Sequence, residues 1–339
     1  MALKRSFNTA YKEETSMTHA IVNIKKGVGR CVAFTLFIAL LFVFSGSAEG
    51  ANKGLRQKTF ASPEEAVKAL FEAVKTNNKK ELGLILGPGS STVISSGDEV
   101  FDQNDREYFV KIYEAKNKID METDTKAILY IGEKDWPMPI PIIKKGSAWV
   151  FDTKAGKEEI LSRRIGMNEL SIIKFCEAYV DAQQEFALKD HDGDGLFEYA
   201  RKFVSTPGKK DGLYWETKEG EELSPLGPLA ADAVKEGYKK RSGVPGYPYH
   251  GYYFKMLMAQ GKNASDGAYN YIVNGNMIGG FALVAYPAQY GSSGVMTFIV
   301  NHAGVVYQKN LGKNTAKTVE SMKLFDPDKT WTKVEAAAE

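Results

Sequence analysis

Asp190, Asp192 and Asp194 stand at alternating positions of the run DHDGDGLFE, with a Gly sixth and Glu198 ninth. Carboxylates spaced this way direct their oxygens toward one centre, which is the chemistry of a hard divalent cation. Asp190, Asp192, Asp194 and Glu198 are therefore candidate ligands for such a cation. The competing reading is a solvated acidic turn that stops the helix before it. Beyond residue 48 there are three histidines, His191, His250 and His302, none in an H-E-x-x-H pattern, and one cysteine, Cys176. Cys176 lies in a helical apolar pattern and reads as a small buried hydrophobe. Gly291-Ser292-Ser293-Gly294 is one residue short of a nucleophile elbow, and the stretch from Gly87 to Ser91 lacks the lysine of a phosphate loop. No catalytic residue or organic cofactor is assigned. A hydrolytic site would have to be assembled by the fold from His250 and a carboxylate such as Asp98 or Asp102.

The acidic run resembles the loop of an EF-hand, and that resemblance implies side-chain oxygens from Asp190, Asp192 and Asp194, the Leu196 carbonyl, and a direct or water-mediated ligand from Glu198. The twelfth position is Arg201, where the EF-hand places a bidentate glutamate. A second class of candidate is aromatic. Trp136, Trp149, Tyr249 and Tyr252 could contact a small ligand, with ordinary core packing as the alternative for each. His302, in a turn sequence, reads as a turn residue.

The elements that must position these residues follow from pattern. Ser62, Pro63 and Glu65 mark a helix start with a capping box, and Lys79 to Leu86 reads as a short helix stopped by Gly87. Phe109, Ile112 and Tyr113 are helical in spacing. Short apolar runs at 127–131, 140–143 and 148–152 read as antiparallel strands, and the alternating prolines from Trp136 to Pro141 restrict that segment to an edge or an extended loop. Asn168 to Lys189 reads as the longest helix, with Asn168 as its cap and Glu169 at its positive end. Ile172, Ile173, Phe175, Cys176, Tyr179, Val180 and Phe186 give that helix a wide apolar face. Strand-like runs follow at 251–258, 269–273, 280–286, 295–300 and 305–309, with a hairpin turn at Asn301 to Gly304.

The amino terminus reads as an address. Lys25, Lys26 and Arg30 precede the uncharged run from Cys31 to Phe44, and small residues follow. As a helix that run spans about 21 Å, short of a hydrocarbon core of about 30 Å. A cleaved signal ending at Ala48 is expected, with Met1 or Met17 as the start, leaving no membrane anchor and an extracytoplasmic protein, periplasmic or secreted. The domain plan is then residues 1–48 signal peptide, 49–58 linker, 59–165 a first α+β domain, and 166–335 a long helix with a second antiparallel sheet. Cys176 alone remains after residue 48, so no internal disulfide can form there.

The chain carries 44 basic and 42 acidic side chains, a formal charge of +2. Six Lys and Arg against two Glu fall in residues 1–48, so the remainder is close to neutral. With no basic run, nucleic acid is excluded as a partner.

Several motifs occur in order: Trp136-Pro137-x-Pro139-x-Pro141, Trp149-x-Phe151-Asp152, Arg163-Arg164-Ile165-Gly166-x-Asn168-Glu169, Asp192-Gly193-Asp194-Gly195, and Gly294-Val295-Met296-Thr297-Phe298-Ile299-Val300-Asn301. Together they resemble a bacterial exported family known as domain of unknown function 2950, over about residues 58 to 334. Helices followed by Trp-Pro-x-Pro and Trp-x-Phe-Asp strands are similar to the cone-shaped nuclear-transport-factor-like fold. The long helix, acidic turn and late hairpin are similar to the head of a type IV pilin or type II pseudopilin. The expected class is α+β, a curved antiparallel sheet with helices and then a long helix packed on a second antiparallel sheet. The expected function is an exported, non-catalytic binding or structural protein of the bacterial envelope, its partner an envelope protein or a small ligand. The alternative is an envelope hydrolase using His250 and a carboxylate.

Overall fold

The fold is assembled from two antiparallel sheets with a helix running from one to the other. The structure, a computed structural model, describes residues 56–218, 220–238 and 247–335. The expected signal peptide, residues 1–48, and most of the expected linker lie outside the described residues.

Helix α1, Pro63–Lys75, begins where Ser62 accepts from the Glu65 amide at 3.2 Å. Glu65 reaches back to the Ala61 amide instead of that of Ser62, closing the box one residue early. Helix α2, Lys79–Leu86, is capped by Asn78 and stopped by Gly87 at a φ of 77°. A single turn, α3 (Ser91–Ile94), leads to α4, Glu99–Ala115, whose first turn is capped by Asp98.

The first sheet holds β1 (Asn117–Thr123), β2 (Lys126–Ile131), β3 (Trp136–Pro137), β4 (Ile142–Lys145) and β5 (Ala148–Phe151) in the order β1-β2-β4-β5, with β3 paired to β2. The proline-rich segment is thus confined to a two-residue contact, as missing amide donors require. Leu70, Ile85, Leu129, Ile131, Ile140, Ile142 and Phe151 form the core beneath this sheet.

Helix α5 runs unbroken from Thr153 to Phe186. The expectation of a helix beginning at Asn168 is corrected: Asn168 is an interior residue and Asp152 stands at the cap position. Two contacts extend the helix backward. The Thr153 hydroxyl donates to the Leu86 carbonyl at 2.7 Å, and Gly156 lies so close to Pro139 that a Cβ would sit 2.2 Å from its carbonyl oxygen. The expected boundary at residues 165 and 166 falls inside this helix, and the described residues belong to one compact unit.

After the short α6, Gly227–Lys235, the second sheet takes the order β14-β13-β12-β11-β6. Its strands are β6 (Tyr252–Leu257), β11 (Ala282–Pro287), β12 (Thr297–Asn301), β13 (Tyr307–Lys309) and β14 (Thr332–Lys333). Two small ribbons, β7 (Ala259–Gln260) with β8 (Tyr269–Asn270) and β9 (Ile272–Val273) with β10 (Asn276–Met277), complete the strands. Every one of these strand pairs is antiparallel, so the α+β class is borne out. The α5 stripe Ile172, Phe175, Cys176, Tyr179, Val180 and Phe186 is buried with β6, β11 and β12 in the second core. Helix α7, Thr315–Ser321, has its last carbonyls bound by Lys255 Nζ, which donates to Val319, Glu320 and Met322. No helix among the described residues is long and apolar enough to cross a membrane.

Candidate functional site

Four segments separate in sequence meet at one buried polar node. Asp98 arrives at the start of α4, Asn168 and Glu169 from the middle of α5, and Gly251 and Ser293 from the loops flanking β6 and β11. Gly251 has a φ of 72°, open to glycine without strain, and a Cβ there would stand 2.7 Å from Asn168 Nδ2 and 2.8 Å from Ser293 Cβ.

The carboxylates of the node and the Asn168 amide nitrogen are each hydrogen-bonded. Asp98, 2% exposed, accepts from the Phe101 amide at 3.1 Å, the Tyr238 hydroxyl at 2.9 Å and the Gly251 amide at 2.9 Å. Burial raises its pKa above the ordinary value, while those hydrogen bonds and the nearby His250 pull the other way. Asn168, 1% exposed, donates to the Ser293 carbonyl at 2.8 Å. One Glu169 oxygen accepts from the Val295 and Met296 amides at 2.8 and 2.9 Å. This corrects the reading of Glu169 as a helix-terminal charge. Asp102 accepts the Ser96 amide on both oxygens at 3.0 Å, and Arg164 donates to the Thr92 and Val93 carbonyls at 2.6 and 2.8 Å.

His250 lies at the rim of this node with a φ of 45°. Its Nε2 is 3.2 Å from Glu236 Oε2, its amide donates to the Tyr238 hydroxyl, and its ring meets Tyr249 edge-on at 4.3 Å between centroids. Among the described residues no Ser, Thr or Cys side chain is hydrogen-bonded to it. Cys176 is fully buried, and burial pushes its thiol pKa far above the ordinary value, which removes the thiolate needed for nucleophilic chemistry. Glu236 and Tyr238, 12 and more residues upstream of His250 in a polar stretch, carried no sequence signal for this pairing.

The acidic loop forms a second cluster. One oxygen from each of Asp190, Asp192 and Asp194 lies within 4.8 Å of the others, all exposed. Asp190 accepts the Gly193 and Gly195 amides at 2.7 and 2.9 Å, and these bonds, that from Gly195 foremost, lower its pKa. Two glycines with φ near 83° and 85° permit the tight winding. The loop is held at its exit. Gln183, buried on α5, donates to the Ala200 carbonyl at 2.8 Å and accepts its amide at 2.9 Å. Asp194 accepts from Asn276 Nδ2 at 3.0 Å.

The donor set suits calcium in part. Asp190, Asp192 and Asp194 converge, whereas Glu198 has one oxygen on the Met277 amide at 3.1 Å and Leu196 has its amide on Asp194 at 2.8 Å. Arg201, at the twelfth position, donates to the Gly275 carbonyl.

The expected aromatic contacts are placed mostly in packing. Trp149, Tyr249 and Tyr252 are buried core residues, and Tyr252 donates to the Met296 carbonyl at 3.0 Å. Trp136 is half-buried and covered by the Arg163 guanidinium at 4.8 Å. His302, read as a turn residue, contacts the rings of Tyr269, Tyr271 and Phe281.

Fold and node define a two-sheet α+β protein whose buried polar residues tie distant loops to a central helix. The chain belongs to the family described as Protein of unknown function (DUF2950), which it matches over residues 57–334. Comparison with curated proteins gave no match, and neither did comparison with solved structures.

Proposed function

We propose that this chain is an exported, non-catalytic binding or structural protein of the bacterial envelope. The observation that carries the reading is the engagement of Asp98, Asn168 and Glu169 with main-chain groups far away in sequence. A carboxylate that accepts three fixed donors is held as a fastener and is poorly placed to move protons. The basic-then-apolar order of residues 25–44 supports export. Asp190, Asp192 and Asp194 support a weak calcium site that braces the exit of α5, in the range of about 10⁻⁴ to 10⁻³ M met by extracellular modules.

One pair favours a second reading as an envelope hydrolase: His250 with Glu236 at 3.2 Å, beside a buried carboxylate. A single experiment separates the two. Purified protein is incubated with peptidoglycan and with envelope polysaccharide, and both co-sedimentation and released fragments are measured. The proposed reading expects retention without release. Release that is lost in His250→Ala, with the variant still folded by circular dichroism, would replace it with the hydrolase.

A further inference from the structure

Strand β1 is the open edge of the first sheet. Among the described residues it pairs with β2 alone, whereas the opposite edge, β5, is covered by Phe60, which exchanges two main-chain hydrogen bonds with Trp149. Six of its seven residues are exposed, Met121 at 52%, and only Ile119 turns partly into the core. A seven-residue exposed edge is a template for another strand unless something prevents it.

The backbone register states which groups face outward. Asn117 lies opposite Ile131, so Lys116 lies opposite Gly132, and the Gly132 amide donates to the Lys116 carbonyl at 2.8 Å. Opposed residues of an antiparallel pair exchange hydrogen bonds at every second position. Lys118 and Asp120 therefore bond inward to β2, and Asn117, Ile119 and Met121 present free N–H and C=O groups to the open side. The inner partner of Ile119 is Leu129, and the Leu129 carbonyl is taken by Met138 on its far side, as this alternation requires.

The charges of the edge are ordered by sign. Lys116 and Lys118 precede Asp120 and Glu122 at every second position. We infer that β1 is a self-complementary dimerisation edge, pairing antiparallel with β1 of a second copy of this chain about a two-fold axis at Ile119. In that register Lys118 faces Asp120 of the second copy, Lys116 faces Glu122, and the outward Ile119 groups bond each other. Cross-strand pairs of opposite charge are favourable, and like charges are unfavourable. Moving the axis to Asp120 sets Asp120 against itself, and parallel pairing sets every charge against its like. The pattern thus admits one partner orientation and excludes open-ended stacking. The irregularity between Met121 and Thr123 ends the pairing at Glu122. At present Lys118 pairs within its own strand with Asp120 at 3.0 Å, an exposed contact that exchanges at little cost, and the half-buried Lys116 pairs with Asp135.

The test is sedimentation velocity of the purified protein over a concentration series up to about 1 mM, the scale reached by weak interfaces. The expected result is a monomer–dimer equilibrium that weakens with added salt. Lys118→Asp should weaken the dimer about tenfold or more, and adding Asp120→Lys to it should restore the dimer, since the reversed pair is again complementary. Met121→Pro removes an outward amide that β2 does not use and should also weaken it. Lys118, Asp120 and Glu122 are exposed and Lys116 is half-buried, and retained Tm values confirm folding. A monomer at every concentration overturns the inference. So does a dimer indifferent to Lys118→Asp, which would place the contact on another face.

Discussion

Asn168 Nδ2 donates to the main-chain carbonyl of Ser293 at 2.8 Å across 125 residues of sequence, inside a wall closed by Gly251. The contact joins the middle of α5 to the loop before β12, and a buried carbonyl left without it has no water to turn to. Asn168→Ala should cost about 1–3 kcal/mol. Urea denaturation gives the difference, and a change within error would mean the loop finds another donor.

Gln183 spends both ends of its amide on Ala200, and so fixes where the chain returns after the acidic loop. Gln183→Met keeps the volume but leaves the Ala200 amide and carbonyl unpaired, with an expected loss on the order of 2 kcal/mol or more. Hydrogen exchange should show the Ala200 amide opening first. Unchanged protection there would argue against the clamp.

Two glycines of α5 should respond to alanine with opposite signs. At Gly156 a methyl meets the Pro139 backbone, so Gly156→Ala should destabilise by about 1–3 kcal/mol. At Gly166 an added methyl would meet nothing within 4 Å beyond the adjoining backbone of its own helix, and Gly166→Ala should stabilise by about 1 kcal/mol through helix propensity. Thermal unfolding of the two variants side by side checks the docking of the first sheet on α5.

Asp98 has its pKa raised by burial. A raised folded value means that the native state holds this proton more tightly than the unfolded chain. Its contribution is therefore complete below the unfolded value and is lost as pH rises through the folded one. The stability of wild type relative to Asp98→Asn should decline as pH climbs from below 3.8. A difference that does not vary with pH would show the carboxylate titrating as it does in the unfolded chain.

Calcium should raise the Tm of the wild type over that in EDTA and leave Asp192→Ala unmoved. With millimolar affinity, 10 mM calcium stabilises by on the order of 1–2 kcal/mol. An equal response in both proteins would assign the effect to general ionic binding and the loop to a solvated turn.

How legible this fold was depended on whether a residue's role was local. The cap at Ser62, the stop at Gly87 and the apolar stripe from Ile172 to Phe186 follow from neighbours a few positions away, and each stands where its spacing predicts. Strand β1 escaped because its exposed residues show no apolar alternation. The early part of α5 escaped because its helix is fixed by Thr153 on Leu86 and Gly156 on Pro139, contacts absent from any local pattern.

The sequence by itself determined the α+β class, the convergence of three aspartates in one tight loop and the family. Tertiary structure alone decided that Asn168 is a tie and not a cap, that Glu169 holds two amides of a distant loop, and that His250 meets Glu236 beside Asp98. Spacing along a chain sets which residues share a helix face or a turn. Which buried donor meets which acceptor more than a hundred residues away depends on how the sheets pack, because the cost of leaving either one unpaired is felt only once water has been excluded.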